Sequence, residues 1–172
     1  MNKPKYIAIA AITIDGKIAK GTDHFSNWTS KEDKIFMRAL LSKSDVVIVG
    51  NNTYKTAIKP LSKRNCIVFT SSVNKPVQKS EKLMFLNPNK ADIKKIIKYR
   101  KYKKIALLGG AQTYSYFLEK NLLDELYLTI EPIAFGGGVS LFSNKQLGDF
   151  KFKFIWLKKL NKKGSVLIKY SR

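Results

Sequence analysis

The stretch Leu108-Gly109-Gly110-Ala111-Gln112-Thr113-Tyr114 is the most informative part of this 172-residue chain for predicting its fold. The apolar residues 105–108 predict a buried strand and residues 112–120 predict a helix, so the glycine pair lies at a strand-to-helix turn. Glycine lets a backbone approach a ligand closely, and the free N–H groups at the start of a helix attract anions. The turn therefore predicts a phosphate site for a nucleotide cofactor, and a tight turn that binds nothing is the alternative interpretation.

Strands and helices alternate along the rest of the chain. The predicted strands cover residues 6–14, 45–49, 65–71, 82–86, 105–108 and 125–130, the predicted helices cover residues 30–42, 53–57, 92–99 and 112–120, and a predicted β-hairpin covers residues 150–160 and 165–170. This order predicts an α/β fold with a mostly parallel central sheet, an antiparallel C-terminal hairpin and about four flanking helices. The length suits one domain over residues 1–172.

Two further strand ends carry polar turns. Gly50, Asn51 and Thr53 follow one apolar strand, and Thr70, Ser71 and Ser72 close the next. In parallel sheets ligands bind at the carboxyl ends of the strands, where such turns meet. Together with the glycine pair, these turns predict a site for an extended dinucleotide, whereas each one alone is consistent with an ordinary structural turn.

The charge excludes some classes of partner. The chain has 33 basic and 12 acidic residues, a formal charge of +21, and its only arginines are Arg38, Arg64, Arg100 and Arg172. Proteins that read nucleic-acid sequence rely on arginine, whereas these lysines are spread along the whole chain. We therefore expect no specific nucleic-acid partner, and the positive field favours a small anionic substrate.

Cysteine content and hydropathy limit the metal sites and the membrane contacts that we expect of this protein. Cys66 is the only cysteine, so it has no partner for a disulfide bond or a cysteine metal site, and no metal is expected. The apolar run at residues 6–14 is too short to span a bilayer and reads as a strand. The sequence predicts a cytoplasmic protein that contacts no membrane, as a monomer or homodimer.

Several separated motifs resemble those of the dihydrofolate reductase superfamily, which includes the reductase domain of riboflavin biosynthesis. The motifs are Thr-Ile-Asp-Gly-Lys-Ile-Ala at 13–19, Trp-Thr-Ser-Lys-Glu-Asp at 28–33, Val-Ile-Val-Gly-Asn-Asn-Thr-Tyr at 47–54, Leu-Gly-Gly at 108–110, Asp-Glu-Leu-Tyr-Leu-Thr at 124–129, and Pro132 with Phe-Gly-Gly-Gly at 135–138. Their order and spacing match over nearly the whole chain. The resemblance implies a dihydrofolate reductase-like fold and hydride transfer from a nicotinamide cofactor.

The resemblance also implies catalytic residues. Trp28 and Asp33 have the spacing of a tryptophan and an acidic residue in the pteridine pocket of folate enzymes, where the carboxyl binds the pterin and assists protonation. Thr129 resembles the threonine that hydrogen-bonds this acid. Asp33 could instead be an ordinary first-turn acidic residue favoured by the helix dipole, a role that Glu32 fits equally well.

Substrate-binding residues follow from the same resemblance. Arg64 resembles the arginine that grips the substrate's glutamate carboxylate, and a solvated loop arginine is the alternative. Residues 17–27, with Gly16 and Gly21 as flexible points and Trp28 at the hinge, would act as a lid, in which His24 is expected to be exposed. The residues expected to line the centre are Ile9, Ala11, Met37, Tyr114 and Thr129.

The expected cofactor is NADPH. Its binding residues would be Ile18, Gly50, Asn51, Thr53, Thr70, Ser71, Ser72, Gly109, Gly110, Ala111, Gln112 and Thr113. Folate enzymes usually carry basic residues where this chain has Asn51 and Gln112, so the 2′-phosphate lacks its usual partners. Ser71, Ser72 and Lys75 could compensate.

Two reactions remain open. The first expectation is reduction of 7,8-dihydrofolate to tetrahydrofolate, because the Asp-Asp-Pro-x-Leu-Thr segment typical of the riboflavin branch is missing. The alternative is a riboflavin-pathway reductase acting on a phosphoribosylamino-pyrimidine. The sequence Asp-Gly-Lys-Ile-Ala at 15–19 and the triple glycine at 136–138 favour this alternative. A noncatalytic nucleic-acid binder is a third possibility, which salt-sensitive binding without cofactor saturation would reveal.

Overall fold

The structure, a computed structural model, describes residues 3–21, 26–143 and 148–172. In the described ranges, the strands are β1 (Lys5–Thr13), β2 (Lys17–Ala19), β3 (Val46–Gly50), β4 (Cys66–Phe69), β5 (Val77–Gln78), β6 (Leu83–Leu86), β7 (Lys104–Leu107), β8 (Leu123–Glu131), β9 (Val139–Ser140), β10 (Lys153–Lys159) and β11 (Val166–Ser171). The helices are α1 (Lys31–Ser42), α2 (Asn51–Thr56), α3 (Ile58–Leu61), α4 (Ile93–Tyr99) and α5 (Ala111–Glu119), with a 3₁₀ turn at Ser26–Trp28.

Nine strands form one sheet in the order β10-β11-β8-β1-β7-β3-β4-β6-β5. The six strands from β8 to β6 are parallel, and β7 fits between β1 and β3 although it follows them in sequence. Strand β3 is buried along Val46–Val49 because helices cover both faces of the sheet. The predicted mostly parallel α/β sheet is confirmed.

Two apolar layers cover the sheet. On one face, helix α1 and α3 pack Leu41 and Leu61 against the β3 and β4 side chains Val49 and Val68. On the other face, α4 and α5 pack Ile97 and Phe117 into the second cluster. Buried apolar side chains therefore fix both faces of the central strands, and the polar turns at the strand ends are left to form a cleft.

The C-terminal hairpin is antiparallel, as predicted. Strand β11 pairs with β8 from Val166 opposite Ile130 to Ser171 opposite Glu125, and β10 pairs with β11 at the sheet edge. The edge strand leaves Phe154 and Leu157 each 57% exposed. The hairpin extends the sheet beyond β8 and places its turn beside the start of α1.

Four short elements differ from the sequence prediction. Strands β2 and β9 pair only with each other, β5 pairs with β6, and α3 is a single turn where a loop was expected. A strand of two or three residues forms because it pairs with a strand that is distant in sequence. It is too short to show the alternation of apolar and polar residues by which strands are predicted. In the described part of the chain, no helix has the length and apolar character needed to cross a membrane.

Candidate active site

A cleft of about 1340 Å³ runs across the carboxyl ends of the parallel strands. Four adjacent strands contribute to its floor, through Gly50 at the end of β3, Thr70 after β4, Asn87 after β6 and Leu108 after β7. Sites for one small ligand commonly measure roughly 300–1,000 Å³. This cleft is therefore large enough for a dinucleotide together with a substrate.

The two glycine turns are in direct contact within this cleft. The Gly50 N–H donates to the Gly109 carbonyl oxygen at 2.6 Å, and the peptide between Gly109 and Gly110 is cis. A Cβ on Gly50 would lie 3.1 Å from the Thr113 hydroxyl oxygen and 3.4 Å from the Gly110 nitrogen. A side chain at position 50 would therefore fit tightly against the neighbouring turn.

The first turn of α5 faces the same cleft with free backbone donors. The helix starts at Ala111, its N-cap Gly110 supplies no side-chain hydrogen bond, and the Tyr114 N–H is bonded to the Gly110 carbonyl. The N–H groups of an uncapped first turn, together with the helix dipole, suit a phosphate. These donors, beside two glycine turns, fit the pyrophosphate of a dinucleotide such as NADPH.

The far end of the cleft is polar but carries no basic side chain in the predicted positions. Ser71 lines the cleft, whereas Ser72 does not line it and instead bonds the Thr70 hydroxyl at 2.9 Å. Ser72 is exposed and its contact with cofactor stays a prediction. Lys75 is exposed and also lies outside the lining. Asn87, which the sequence analysis missed, adds a buried polar side chain here.

Asp33 is a buried carboxyl in the wall of the cleft. Asp33 is 6% exposed. Its burial, together with the charge of Glu131, raises the pKa of its carboxyl above the ordinary value, whereas hydrogen bonds with Thr129 and Thr29 lower that pKa in part. Thr129 is buried and hydrogen-bonds Asp33, which is the contact that the resemblance implies for it, and its place at the centre of the site stays a prediction. A carboxyl in this setting can bind N–H donors and can also deliver a proton.

A second buried carboxyl lies behind the first. Glu131 is 4% exposed, accepts the Ser30 N–H at 2.7 Å and accepts the Ser165 hydroxyl. The sequence analysis missed it, although the period of two along β8 places residues 129 and 131 on one face. The second carboxyl means that Asp33 titrates next to another negative charge.

Trp28 presents a buried donor without an acceptor. In the described ranges its indole Nε1 has no hydrogen-bond partner, and its ring packs edge-on against Phe135 with centroids 5.1 Å apart. Buried donors are almost always bonded to protein, water or ligand. Trp28 is also one of the residues that line the cleft.

The centre of the cleft is fixed by Tyr114. Its hydroxyl donates to the Ile9 carbonyl oxygen at 2.6 Å, and its burial raises the pKa of the phenol, with a further contribution from Asp33. Tyr114 therefore remains protonated and serves as a wall. Ala11, Ile18 and Met37 complete the apolar lining beside it.

Basic side chains stand at the mouth. Arg64 is half-buried against the cleft, and Arg38 and Lys34 from α1 also line it. Such side chains can bind an anionic group.

The structure brings most of the predicted site residues to one cleft, and their roles remain predictions. The lining includes Ile9, Ala11, Ile18, Trp28, Asp33, Met37, Gly50, Asn51, Thr53, Arg64, Thr70, Ser71, Gly109, Gly110, Ala111, Gln112, Thr113 and Tyr114. Residues 22–25 of the predicted lid, with His24, lie outside the described residues. Among the residues that are described, no three His, Cys, Asp or Glu side chains group so as to hold a metal ion.

The chain is similar in sequence to known proteins. A family model described as dihydrofolate reductase matches residues 5–155. The Bacillus subtilis (strain 168) protein YwjB is 27% identical over 146 residues, which span 80% of this chain and 82% of YwjB.

Two solved structures share the fold. A pyrimidine reductase-like protein from Corynebacterium diphtheriae has a TM-score of 0.73 at 18% identity, over 99% of this chain and 92% of that one. A diaminohydroxyphosphoribosylaminopyrimidine deaminase/5-amino-6-(5-phosphoribosylamino)uracil reductase from Thermotoga maritima has a TM-score of 0.74 at 19% identity, over 98% of this chain and 56% of that one. At these identities the likeness establishes the fold alone.

Proposed function

Since the chain belongs to the dihydrofolate reductase family, we propose that it is an NADPH-dependent reductase whose substrate is a phosphoribosylamino-pyrimidine. The observation that carries this proposal is the buried carboxyl of Asp33 in the wall of a cleft whose other end fits a dinucleotide. The second candidate is dihydrofolate, which the Trp28 to Asp33 spacing favours.

Asp33 suits the ring that the two candidates have in common. An ionised carboxylate has about four acceptor positions, and Thr129 and Thr29 occupy only part of them. The remaining positions can accept N–H groups of a pyrimidine or pterin ring. Deep in an apolar wall, such a bond selects for ring N–H donors, because an analogue without them leaves the carboxyl unpaired.

The mouth of the cleft suits the anionic end of either substrate. Arg64, Arg38 and Lys34 can bind the phosphate of a phosphoribosyl group or the glutamate carboxylates of a folate. The similarity to solved proteins named as pyrimidine reductases supports the phosphoribosyl compound as the first choice, and so does the triple glycine at residues 136–138.

The residues of this chain would bind the cofactor and the substrate, orient them towards each other and supply a proton to the substrate. Bound NADPH would supply a hydride. The first turn of α5 and the glycine turns would hold its pyrophosphate, and Tyr114 would form the wall at the centre. In the pyrimidine reaction the ribose ring would first open: its C1′–O bond breaks, the ring oxygen takes the proton of the exocyclic amine, and C1′ and the nitrogen form an imine. The hydride would then add to C1′ and the imine nitrogen would take a proton. In the folate reaction the hydride adds to C6 and the proton goes to N5. Asp33 is the buried carboxyl from which this proton can come.

A single assay tests the proposal. NADPH oxidation is followed by absorbance with the phosphoribosylamino-pyrimidine, with dihydrofolate and with neither, and products are identified by mass. We expect oxidation with the pyrimidine and a product two hydrogens heavier. Turnover of dihydrofolate alone would replace the first candidate by the second, and no oxidation with either would refute the reductase assignment.

A further inference from the structure

The start of α1 carries half of a capping box. Ser30 is the N-cap, and its hydroxyl oxygen accepts the Asp33 backbone N–H at 3.3 Å. In a complete capping box the acidic side chain three residues after the N-cap reaches back to accept the N–H of the N-cap residue. The acid at that place is Asp33, so the local sequence directs the Asp33 carboxyl towards its own helix terminus.

Glu131 takes this bond instead. Its Oε1 accepts the Ser30 N–H at 2.7 Å from a strand 101 residues away in sequence. The Asp33 carboxyl therefore has no need to cap its own helix, and it bonds Thr129 and Thr29 and lines the cleft. We propose that Glu131 is a positioning residue, which caps α1 in place of Asp33 and thereby leaves the Asp33 carboxyl facing the substrate.

Glu131 is itself held by the turn of the C-terminal hairpin. The Ser165 hydroxyl donates to Oε2 of Glu131, and the Asn161 amide donates to the Ser165 hydroxyl at 3.0 Å. The same amide donates to Glu32 at 3.1 Å, and Asn161 Oδ1 accepts the Ser165 N–H at 3.2 Å. The hairpin turn thus fixes the Glu131 carboxyl, because both of its oxygens are occupied.

The arrangement also places a second negative charge beside Asp33. The charged or titratable groups that act on Asp33 or respond to it are Glu131 from β8, Lys34 from its own helix and Tyr114 from α5. Removal of the Glu131 charge lowers the pKa of Asp33, and a new bond from the Ser30 N–H to Asp33 would lower it further.

Two variants separate the bond from the charge. Glu131→Gln keeps an amide oxygen that can accept the Ser30 N–H, whereas Glu131→Ala removes both the acceptor and the charge. Carbon-13 NMR of the protein without substrate measures the pKa of the Asp33 carboxyl in each variant. The Asp33 signal is assigned by its absence from the spectrum of Asp33→Asn. We expect a lowered Asp33 pKa in both variants, with the larger shift in Glu131→Ala.

Activity provides the second measurement, and this part rests on the proposed function. Glu131→Ala is expected to lower kcat by about tenfold or more because Asp33 turns back to the helix terminus, while Glu131→Gln retains kcat within about threefold. The NMR titration needs no substrate, so it tests the role of Glu131 even if neither substrate is turned over. Failure of the proposed function would therefore be seen in the activity assay alone, whereas failure of this inference would be seen in the titration.

Glu125 provides the matched control. It is a buried glutamate on the same strand, paired with Lys5 at 2.7 Å and Lys169 at 2.9 Å and not with α1. Glu125→Gln should alter stability without moving the Asp33 pKa. An Asp33 pKa in Glu131→Ala equal to that in Glu131→Gln would overturn the inference, because loss of the capping bond would then have no effect of its own. If Glu131→Ala does not fold, Glu131→Met, which keeps the volume but has no oxygen acceptor, takes its place. Equal losses of kcat in the two Glu131 variants would overturn the capping role.

Discussion

Gly50 and Gly109 lie in turns that follow different strands, and the N–H of the first donates to the carbonyl of the second at 2.6 Å. The contact makes the end of β3 and the end of β7 one rigid surface beside the first turn of α5. A Cβ on Gly50 would press on the turn at residues 109–113, and a Cβ on Gly109 would lie 3.1 Å from the Tyr114 hydroxyl oxygen. Substitutions at these turns therefore test the cofactor site.

Gly110→Ala should bind NADPH more weakly and remain folded. Its φ is −83°, which any residue adopts, and a Cβ there would meet only the Thr53 hydroxyl oxygen, at an ordinary 3.5 Å. The larger Gly110→Val should abolish binding because the side chain blocks the pyrophosphate. Fluorescence titration with NADPH measures both. Gly148→Ala, where a Cβ meets nothing within 4 Å, is the control. Unchanged NADPH affinity in Gly110→Val would remove this turn from the cofactor site.

Gly50→Ala should instead destabilise the protein. The added Cβ would lie 3.1 Å from Thr113 and 3.4 Å from the backbone nitrogen of Gly110, and that turn cannot move without breaking the bond to Gly109. Overpacking of this kind costs about 1–3 kcal/mol in the free energy of unfolding. Urea unfolding measures the loss, and a variant as stable as the wild type would show that the two turns can separate.

Asp33→Asn should lower kcat by at least about tenfold, a loss of about 1.4 kcal/mol or more, because the amide can neither carry the charge nor deliver the proton. Steady-state NADPH oxidation measures this. In the folate reaction activity should recover partly at low pH, where the substrate is protonated in solution. Wild-type rates at neutral pH would exclude Asp33 from the mechanism.

The same variant should be more stable than the wild type at neutral pH. Burial raises the folded pKa of Asp33 above its unfolded value of 3.8, so the folded state binds more protons between the two values, and stability falls as the pH rises through that window. Below the unfolded pKa both states are protonated and no difference remains. The Tm difference between Asp33→Asn and wild type should therefore increase from acid to neutral pH. A difference that stays constant with pH contradicts the raised pKa.

Trp28→Phe should weaken substrate binding with little effect on folding. The indole Nε1 is a buried donor without an acceptor among the described residues, so its loss removes no bond inside the protein. If the N–H meets a substrate or a bound water, KM should rise by about 5- to 30-fold, the equivalent of about 1–2 kcal/mol. Tm should change little. An unchanged KM would mean that the indole nitrogen contacts nothing that the substrate brings.

Arg64→Leu should raise KM by about 10- to 200-fold, the equivalent of about 1.5–3 kcal/mol, with kcat much less affected. Arg64 lines the cleft and is expected to bind the anionic end of the substrate. The control is Arg100→Leu, since Arg100 bonds Gln78 at 2.8 Å and does not line the cleft. Substrate fragments that lack the phosphate or glutamate should not distinguish wild type from Arg64→Leu, and a kcat loss as large as the KM change would place Arg64 nearer the reaction.

The class of fold could be predicted from the chain because local patterns carry it. Uninterrupted apolar runs such as residues 46–49 predicted buried parallel strands, and glycines at 50 and 109–110 predicted turns at their ends. The hairpin was predicted from two strand-forming segments around residues 162–164. In each case the pattern lies within one element or two neighbours in sequence, so the residues themselves contain the information.

The candidate site could be predicted only in part. Trp28, Asp33 and the glycine turns have spacings that resemble a family, and the fold brings them to one cleft. Glu131 was missed although it lies between the quoted residues 124–129 and Pro132, because its contacts with Ser30 and Ser165 join segments that are distant in sequence. No local pattern around Asn87 or Ser165 indicates a site. Ser72 hydrogen-bonds Thr70 and Thr129 hydrogen-bonds Asp33, and contact of either with a ligand stays a prediction.

By itself, the sequence determined which segments become strands and helices and which turns can approach a phosphate, because these depend on side-chain period and glycine. Only the tertiary structure decided that β7 enters between β1 and β3, and that the Ser30 N–H is capped by Glu131 and not by Asp33. Both outcomes join residues distant in sequence. Their energy comes from burial and hydrogen bonds that exist only after the sheet has assembled, so no local pattern could contain them.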